Sequence, residues 1–115
     1  MDVKVQIEME KAAQILKLLG DKTRLSMMKL LQNNECYVCE LVEIYKASQP
    51  AISQHLRKLR DIELVSERRK GHWIFYSLNK ENSYYQFVLD ILDSLPSEDE
   101  RLKGLEKQGL RINCC

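Results

Sequence analysis

The chain has 115 residues, of which 44% are hydrophobic and 30% charged, which is typical of one soluble globular domain with a modest core. Its formal net charge is only +1, so any case for a nucleic-acid partner must come from where the charges lie. No apolar run approaches the roughly 20 residues of a membrane span, and the first residues lack the apolar segment of a signal peptide. The four cysteines are therefore expected in a reducing cytoplasm, where metal binding or redox sensing is commoner than structural disulfides.

The first part of the chain predicts a series of short helices. Apolar residues recur at helical spacing over residues 7–19, and Gly20 follows as a typical C-terminal stop. Asp21 is a suitable cap for a second helix, which is expected to end at residues 33–34. A third helix is expected over residues 38–45.

A fourth helix, from Ser48 to about residue 61, is predicted to have one apolar and one polar face. Ser48 is a typical N-cap, and Pro50 falls in the first turn, where its missing N–H is harmless. No acid occurs over residues 49–60, whereas a merely solvated face more often alternates Glu and Lys. Both interpretations, a solvated face and a DNA-reading face, stay open on this helix alone. The polar side chains suited to base edges and phosphates are Gln49, Ser53, Gln54, Arg57 and Lys58.

A β-hairpin with a basic tip follows this helix. The first strand is expected over residues 64–68, the turn at Lys70-Gly71, and the second strand over residues 73–78. The basic residues at or beside the tip are Arg68, Arg69, Lys70 and His72. A basic hairpin after a polar-faced helix has the geometry of a wing that contacts phosphates, although a basic turn alone is more often solvated surface.

Residues 82–95 predict a strongly amphipathic helix that is closed by Pro96. Its apolar face and that of residues 7–19 exceed what a three-helix core with a small hairpin can cover. This surplus favours a homodimer built from the two terminal helices. The alternative is that both helices simply cover their own core.

The order of elements predicts a mainly α fold with a small β-hairpin, the winged helix-turn-helix. Residues 1–96 are expected to form the DNA-binding and dimerisation domain, and residues 97–115 a C-terminal tail that ends in Cys114 and Cys115. Residues 97–100 have the pattern of a capping box that opens a last short helix in this tail. No Ser-His-Asp set, carboxylate pair or glycine-rich phosphate loop can be assembled, so an enzyme is not expected.

Residues 21–78 closely resemble the ArsR/SmtB family of metal-sensing bacterial repressors, and the likeness extends to about residue 95. It is carried by residues 18–25 (LLGDKTRL), 35–41 (ECYVCEL), 48–56 (SQPAISQHL) and 69–76 (RKGHWIFY). The resemblance implies a homodimer that represses a resistance operon and leaves its operator DNA when an inducer binds. It also implies a recognition helix in the major groove and a wing over the adjacent backbone. The implied DNA-binding residues are Ser48, Gln49, Pro50, Ser53, Gln54, His55, Arg57, Lys58, Arg68, Arg69, Lys70 and His72.

The resemblance also indicates where the inducer binds. Arsenic- and cadmium-sensing members place thiolates at the start of the helix before the recognition helix, where this chain has Cys36 and Cys39. The family's two cysteines are commonly separated by one residue, so this spacing departs from the pattern. Thiolates are favoured at a helix N-terminus, and two of them three residues apart are expected on one side of a helix start, where they can share a soft ion.

The ligand count leads to a prediction about the tail. As(III) and Sb(III) prefer three sulfurs, so Cys114 or Cys115 is predicted to complete the site with Cys36 and Cys39. The alternative is that the tail thiols are incidental. Other interpretations of the cysteines are a site for Cd(II), Pb(II) or Zn(II), a thiol redox switch in the repressor, and small buried structural residues.

Overall fold

The computed structural model describes residues 7–107. This part of the chain is mainly helical with one small antiparallel sheet, as predicted. None of its helices is both long and apolar enough to cross a membrane. The elements are, in chain order, α1 (Met9–Leu19), α2 (Lys22–Asn33), β1 (Cys36–Tyr37), α3 (Val38–Tyr45), α4 (Gln49–Asp61), β2 (Val65–Lys70), β3 (Trp73–Leu78), α5 (Tyr85–Leu92) and α6 (Glu100–Lys107).

Local sequence features set the boundaries of α2, α3 and α4. The side chain of Asp21 accepts a hydrogen bond from the N–H of Arg24 at 2.9 Å and caps α2. The hydroxyl of Ser48 accepts one from the N–H of Ala51 at 3.2 Å and caps α4. Between α3 and α4, Lys46 has a left-handed backbone with φ of 52°, which ends one helix and turns the chain into the next. The helix-turn-helix is therefore formed where it was predicted.

One hydrophobic core joins the helices to the sheet. The apolar face that was predicted for α4 consists of Ile52, Leu56 and Leu59, and none of them is more than 1% exposed. Helix α6 adds Leu102 and Leu105, which are also buried. Helix α6 therefore shares the core of the preceding elements, and the division of the chain after residue 96 stays a prediction.

The sheet contains a strand that sequence analysis did not predict. The two-residue strand β1 pairs with β3, which gives the strand order β1-β3-β2. Cys36 in β1 lies opposite Tyr76 in β3, and Tyr76 lies opposite Glu67 in β2. These three residues therefore form one row across the sheet.

The hairpin differs from its prediction at the turn. Strand β2 continues to Lys70, which pairs with Trp73, so the turn residues are Gly71 and His72 rather than Lys70 and Gly71. Gly71 has φ of 63°, a conformation that glycine adopts without strain and that a two-residue hairpin turn requires. The hairpin is consequently longer by one pair, and Arg69 lies within a strand.

The helix predicted over residues 82–95 is shorter than expected, because α5 spans only Tyr85–Leu92. The side chain of Asn82 donates to the backbone carbonyl of Glu63 and accepts from the N–H of Tyr84 at 2.7 Å. These bonds hold residue 82 in a turn before the helix.

The last helix also begins later than its predicted capping box. The hydroxyl of Ser97 accepts from the N–H of Asp99 at 3.1 Å, which makes a turn and leaves α6 to begin at Glu100. Two side-chain hydrogen bonds then fix this turn to α2 and its C-terminal cap. The hydroxyl of Ser26 donates to Glu98 at 2.7 Å, and the amide of Asn34 donates to Asp99 at 2.7 Å.

Candidate nucleic-acid interface and thiol site

Helix α4 presents the polar face that was predicted to read DNA. The exposed residues on and before this helix include Ser48, Gln49, Pro50, Ser53, Gln54, Arg57 and Lys58. Because Ile52, Leu56 and Leu59 are buried on the opposite side, packing fixes the direction in which the polar face points. The face is therefore carried by a rigid element.

His55 is partly buried, and its imidazole ring contacts the guanidinium of Arg24. A terminal nitrogen of Arg24 lies 3.1 Å from Nδ1 of His55, and the Nε–H of Arg24 donates to the carbonyl of Leu18 at 2.8 Å. Burial lowers the pKa of His55, and the Asp21 carboxylate opposes that shift. His55 thus ties the recognition helix to the junction of α1 and α2, in addition to its predicted contact with DNA.

The wing carries exposed cations near its tip. Arg69, Lys70 and His72 are exposed, and no ion pair engages Arg69 or Lys70 among the described residues. Arg68 is also exposed, but its guanidinium donates to both carboxylate oxygens of Glu35, at 2.8 and 2.5 Å. This hydrogen-bonded cation lowers the pKa of Glu35. Arg68, one of the four residues predicted to contact DNA from the wing, therefore also anchors the edge of the wing.

Arg60 lies on the same surface, although sequence analysis did not select it. It forms an ion pair with Glu67 of β2 and, together with Ser53, Arg57 and Tyr76, lines a cleft of about 130 Å³. Its position three residues after Arg57 in a helix is the sequence signal that would have identified it.

The structure places Cys36 and Cys39 in different surroundings. Cys36 lies in β1 with 0% of its surface exposed and belongs to the core. Cys39 lies in the first turn of α3, is partly buried, and lines a groove of about 640 Å³ together with Gln49 and Trp73. The expectation that both cysteines lie on a helix start is wrong for Cys36, because α3 begins at Val38.

The described part of the chain contains two of the four predicted ion ligands, Cys36 and Cys39. Cys39 is disulfide-bonded, so a thiolate at this position requires the reduced protein. Cys114 and Cys115 lie outside the described residues. Within residues 7–107, no group of three or more His, Cys, Asp or Glu side chains is placed to hold a metal ion. The three-sulfur site therefore stays a prediction.

The segment that carries the cysteines is fastened to the wing. Glu40, a buried carboxylate that sequence analysis missed, accepts a hydrogen bond from the N–H of Tyr37 at 2.9 Å at the start of α3. The ring of Tyr37 stacks on Trp73 with centroids 5.0 Å apart and meets Phe75 edge-on at 4.6 Å. A displacement of this segment would therefore also displace residues of the wing.

A further cavity, of about 360 Å³, lies where α6 docks on α2 and α3. The hydroxyl of Ser26 bonds to the hydroxyl of Tyr45 at 2.8 Å as well as to Glu98, and the guanidinium of Arg101 lies over the ring of Tyr45. Burial raises the pKa of Tyr45 to about 12. This network explains how α6 is held and was not predicted from the sequence.

The chain has a capped helix-turn-helix, a recognition helix with no acid over residues 49–60, and a basic hairpin. Together they define a winged helix-turn-helix DNA-binding regulator. Residues 21–67 match the family model described as "Bacterial regulatory protein, arsR family". The arsenical resistance operon repressor of Staphylococcus xylosus is 37% identical over 86 residues, which cover 75% of this chain and 81% of that protein. The chain belongs to the ArsR family of bacterial transcriptional repressors.

Two further comparisons support this assignment. The arsenical resistance operon repressor of Escherichia coli (strain K12) is 33% identical over 103 residues, covering 88% of this chain and 86% of that protein. Among solved structures, reduced HlyU from Vibrio cholerae N16961 matches with a TM-score of 0.66 and 34% identity, over 75% of this chain and 85% of that chain. The predicted family and fold class are confirmed. As a member of a family of DNA-binding repressors, the protein is a regulator and not an enzyme.

Proposed function

We propose that the protein is a cytoplasmic homodimeric repressor of an arsenic-resistance operon and leaves its operator when As(III) or Sb(III) binds its cysteine thiolates. The observation that carries the proposal is the position of Cys39. Its groove is also lined by Gln49, the first residue of the recognition helix. The relatives named as arsenical resistance repressors support the choice of inducer.

The proposed DNA complex places α4 in the major groove and the wing over the adjacent backbone. Gel-shift titration with the DNA upstream of the protein's own coding sequence tests this arrangement. Arg69→Ala should weaken binding to all duplexes and reduce the salt slope by about one. Gln49→Ala or Ser53→Ala should instead relax sequence preference, at a cost of roughly 1–3 kcal/mol. A protein that binds this DNA no better than random duplex at moderate salt would contradict the proposal.

The proposed dimer is supported by apolar surface on α1. Met9 is 85% exposed and Leu16 is 51% exposed, and their spacing of seven residues places both on one face of α1. Pairing of α1 and α5 across a two-fold axis would set two recognition helices about one turn of DNA apart. In sedimentation experiments we expect a dimer, and a monomer for Leu16→Glu. Gln14→Glu, which adds the same charge at an exposed polar position of α1, is the control. A monomeric wild type that still binds its operator would contradict the dimer.

The proposed inducer site consists of Cys36, Cys39 and one of Cys114 and Cys115. X-ray absorption at the arsenic edge can count the sulfurs in the full chain and in a chain that ends at Asn113. We expect three sulfurs in the full chain, one fewer after truncation, and weaker induction by arsenite. If truncation changes neither the sulfur count nor the affinity, the tail does not supply a ligand.

A thiol redox switch is the second candidate, because Cys39 is disulfide-bonded in this structure. The two functions differ in what the DNA complex responds to. A metalloid sensor binds operator in the reduced form and releases it when arsenite is added, whereas a redox switch changes affinity on oxidation alone. The same titration with Cd(II), Pb(II) and Zn(II) tests the divalent alternatives.

A further inference from the structure

A small polar cleft lies between the C-terminal half of α4 and strand β3. Its volume is about 130 Å³, and its lining residues are Ser53, Arg57, Arg60 and Tyr76. The three helical residues succeed one another at intervals of four and three positions, so they share one face of α4. Ser53, Arg57 and Arg60 carry O–H or N–H donors, and the Tyr76 hydroxyl completes the polar lining.

The guanidinium of Arg60 is held in this cleft from the sheet side. The Glu67 carboxylate forms an ion pair with Arg60 and also accepts a hydrogen bond from the Tyr76 hydroxyl at 3.3 Å. Glu67 and Tyr76 are opposite each other in the β2–β3 ladder, so both contacts are built on paired strands. Arg60 has five N–H donors, and the carboxylate uses only part of them.

The cleft is suited to bind an oxyanion that is part of a larger molecule. The Arg60 and Glu67 side chains are 49% and 31% exposed, so the pair is open to solvent. Arginine forks match phosphate oxygens, and DNA phosphates are bound mainly by such side chains and by hydroxyls. The cleft also lies between the two elements that the proposed function places on DNA.

We propose that this cleft binds one phosphate of the operator backbone, with Arg57 and Arg60 as its ligands and Glu67 and Tyr76 as positioning residues for Arg60. The inference rests on the proposed mode of DNA binding and adds a contact between the recognition helix and the wing. It has an unusual consequence: an acid at the DNA surface strengthens binding.

The test compares two substitutions that remove one negative charge each. Glu67→Gln removes the carboxylate that holds Arg60, and Glu81→Gln removes a carboxylate on an exposed loop outside the cleft. Long-range electrostatics alone would make both variants bind DNA equally well or tighter. The proposal instead predicts about 5-fold weaker operator binding for Glu67→Gln and no weakening for Glu81→Gln. Circular dichroism and thermal unfolding establish that both variants are folded.

Three further variants identify the residue through which Glu67 acts. Arg60→Gln should bind about 10-fold more weakly and lose about one unit of salt slope. Tyr76→Phe, which removes only the hydroxyl, should show a smaller loss in the same direction. In the Arg60→Gln background, Glu67→Gln should cause no additional weakening, because its target is gone.

The possible results distinguish a failure of the cleft proposal from a failure of the proposed function. If Glu67→Gln binds operator as tightly as Glu81→Gln while the wild type still prefers operator to random duplex, the cleft proposal is wrong. The same holds if Glu67→Gln weakens binding equally in the Arg60→Gln background. A wild-type protein without preference for its operator would overturn the proposed DNA-binding mode instead.

Discussion

The recognition helix and the cysteine segment are neighbours, but they differ in how completely the structure arranges them. Helix α4 is capped by Ser48, seated by a buried apolar stripe, and tied to the α1–α2 junction through His55. In contrast, Cys36 is enclosed in the core while Cys39 lines an open groove. The DNA-binding surface is thus formed before DNA arrives, whereas the two described cysteines of the proposed inducer site lie in different surroundings.

This difference bears on how the proposed inducer would act on DNA binding. A ligand shifts a two-state equilibrium only by the difference in its affinity for the two states. If Cys36 and Cys39 bind the ion as proposed, the bound state must therefore be one in which the arrangement that supports α4 is changed. A coupling of about 1–3 kcal/mol is typical of such regulators.

The largest effect on stability is expected from a substitution in the core that supports the DNA-binding surface. Leu56 is 1% exposed, and Leu56→Ala should lower the free energy of unfolding by about 2–5 kcal/mol through lost burial and a cavity. Denaturant titration measures the change. Lys58→Ala, on the exposed side of the same helix, is the control and should stay within about 0.5 kcal/mol of wild type. Equal effects at the two positions would mean that packing does not hold α4.

Substitution by serine should lower the stability of the protein more at Cys36 than at Cys39. Cys36→Ser buries a hydroxyl in the core and should cost about 1–3 kcal/mol of stability, whereas Cys39→Ser in the groove should cost less. Both variants should keep operator binding and lose the response to arsenite, when assayed under reducing conditions. Loss of operator binding by a folded serine variant would show that the cysteines are structural rather than sensing.

The cap of the recognition helix should have an intermediate effect. Ser48→Ala removes the acceptor for the N–H of Ala51 and should cost about 1 kcal/mol in thermal or chemical unfolding. Ser48→Asn provides another acceptor and is expected to restore most of this loss. If Asn and Ala are equally destabilising, the hydroxyl does not act as a cap.

The smallest effect concerns pH. Because folding lowers the pKa of His55, its unfolded form takes up a proton as pH falls through about 6.5 while the folded form resists protonation. Stability should therefore decline between pH 7.5 and 5.5. His55→Gln keeps an acceptor for Arg24 and should remove part of this decline. Parallel pH profiles for the two proteins would assign the decline to other groups.

The sequence predicted best those features that depend on near neighbours. Asp21 and Ser48 act within one helical turn, and the helix over residues 38–45 has the predicted boundaries. Strand β1 was missed because two residues show no periodicity and are defined only by pairing with β3, far along the chain. Likewise, α5 is shorter than predicted because the side chain of Asn82 bonds to the carbonyl of Glu63, which is distant in the sequence.

The same distinction applies to the candidate sites. The polar face of α4 follows from helical spacing, and its predicted residues are exposed apart from His55. The spacing of Cys36 and Cys39 was interpreted with helical geometry, which fails because Cys36 is in a strand. The role of Arg60 depends on Glu67, which only the fold of the sheet brings to it.

The row formed by Cys36, Tyr76 and Glu67 is a short path through the sheet from the proposed inducer site to the proposed phosphate cleft. Neighbouring strands are about 4.8 Å apart, so roughly 10 Å of sheet separates the backbone of the buried cysteine from that of the carboxylate beside Arg60. This is less than the roughly 12 Å length of an eight-residue helix such as α3. If Cys36 binds an ion as proposed, a pull on β1 would therefore reach the carboxylate beside Arg60 without passing through the helix-turn-helix.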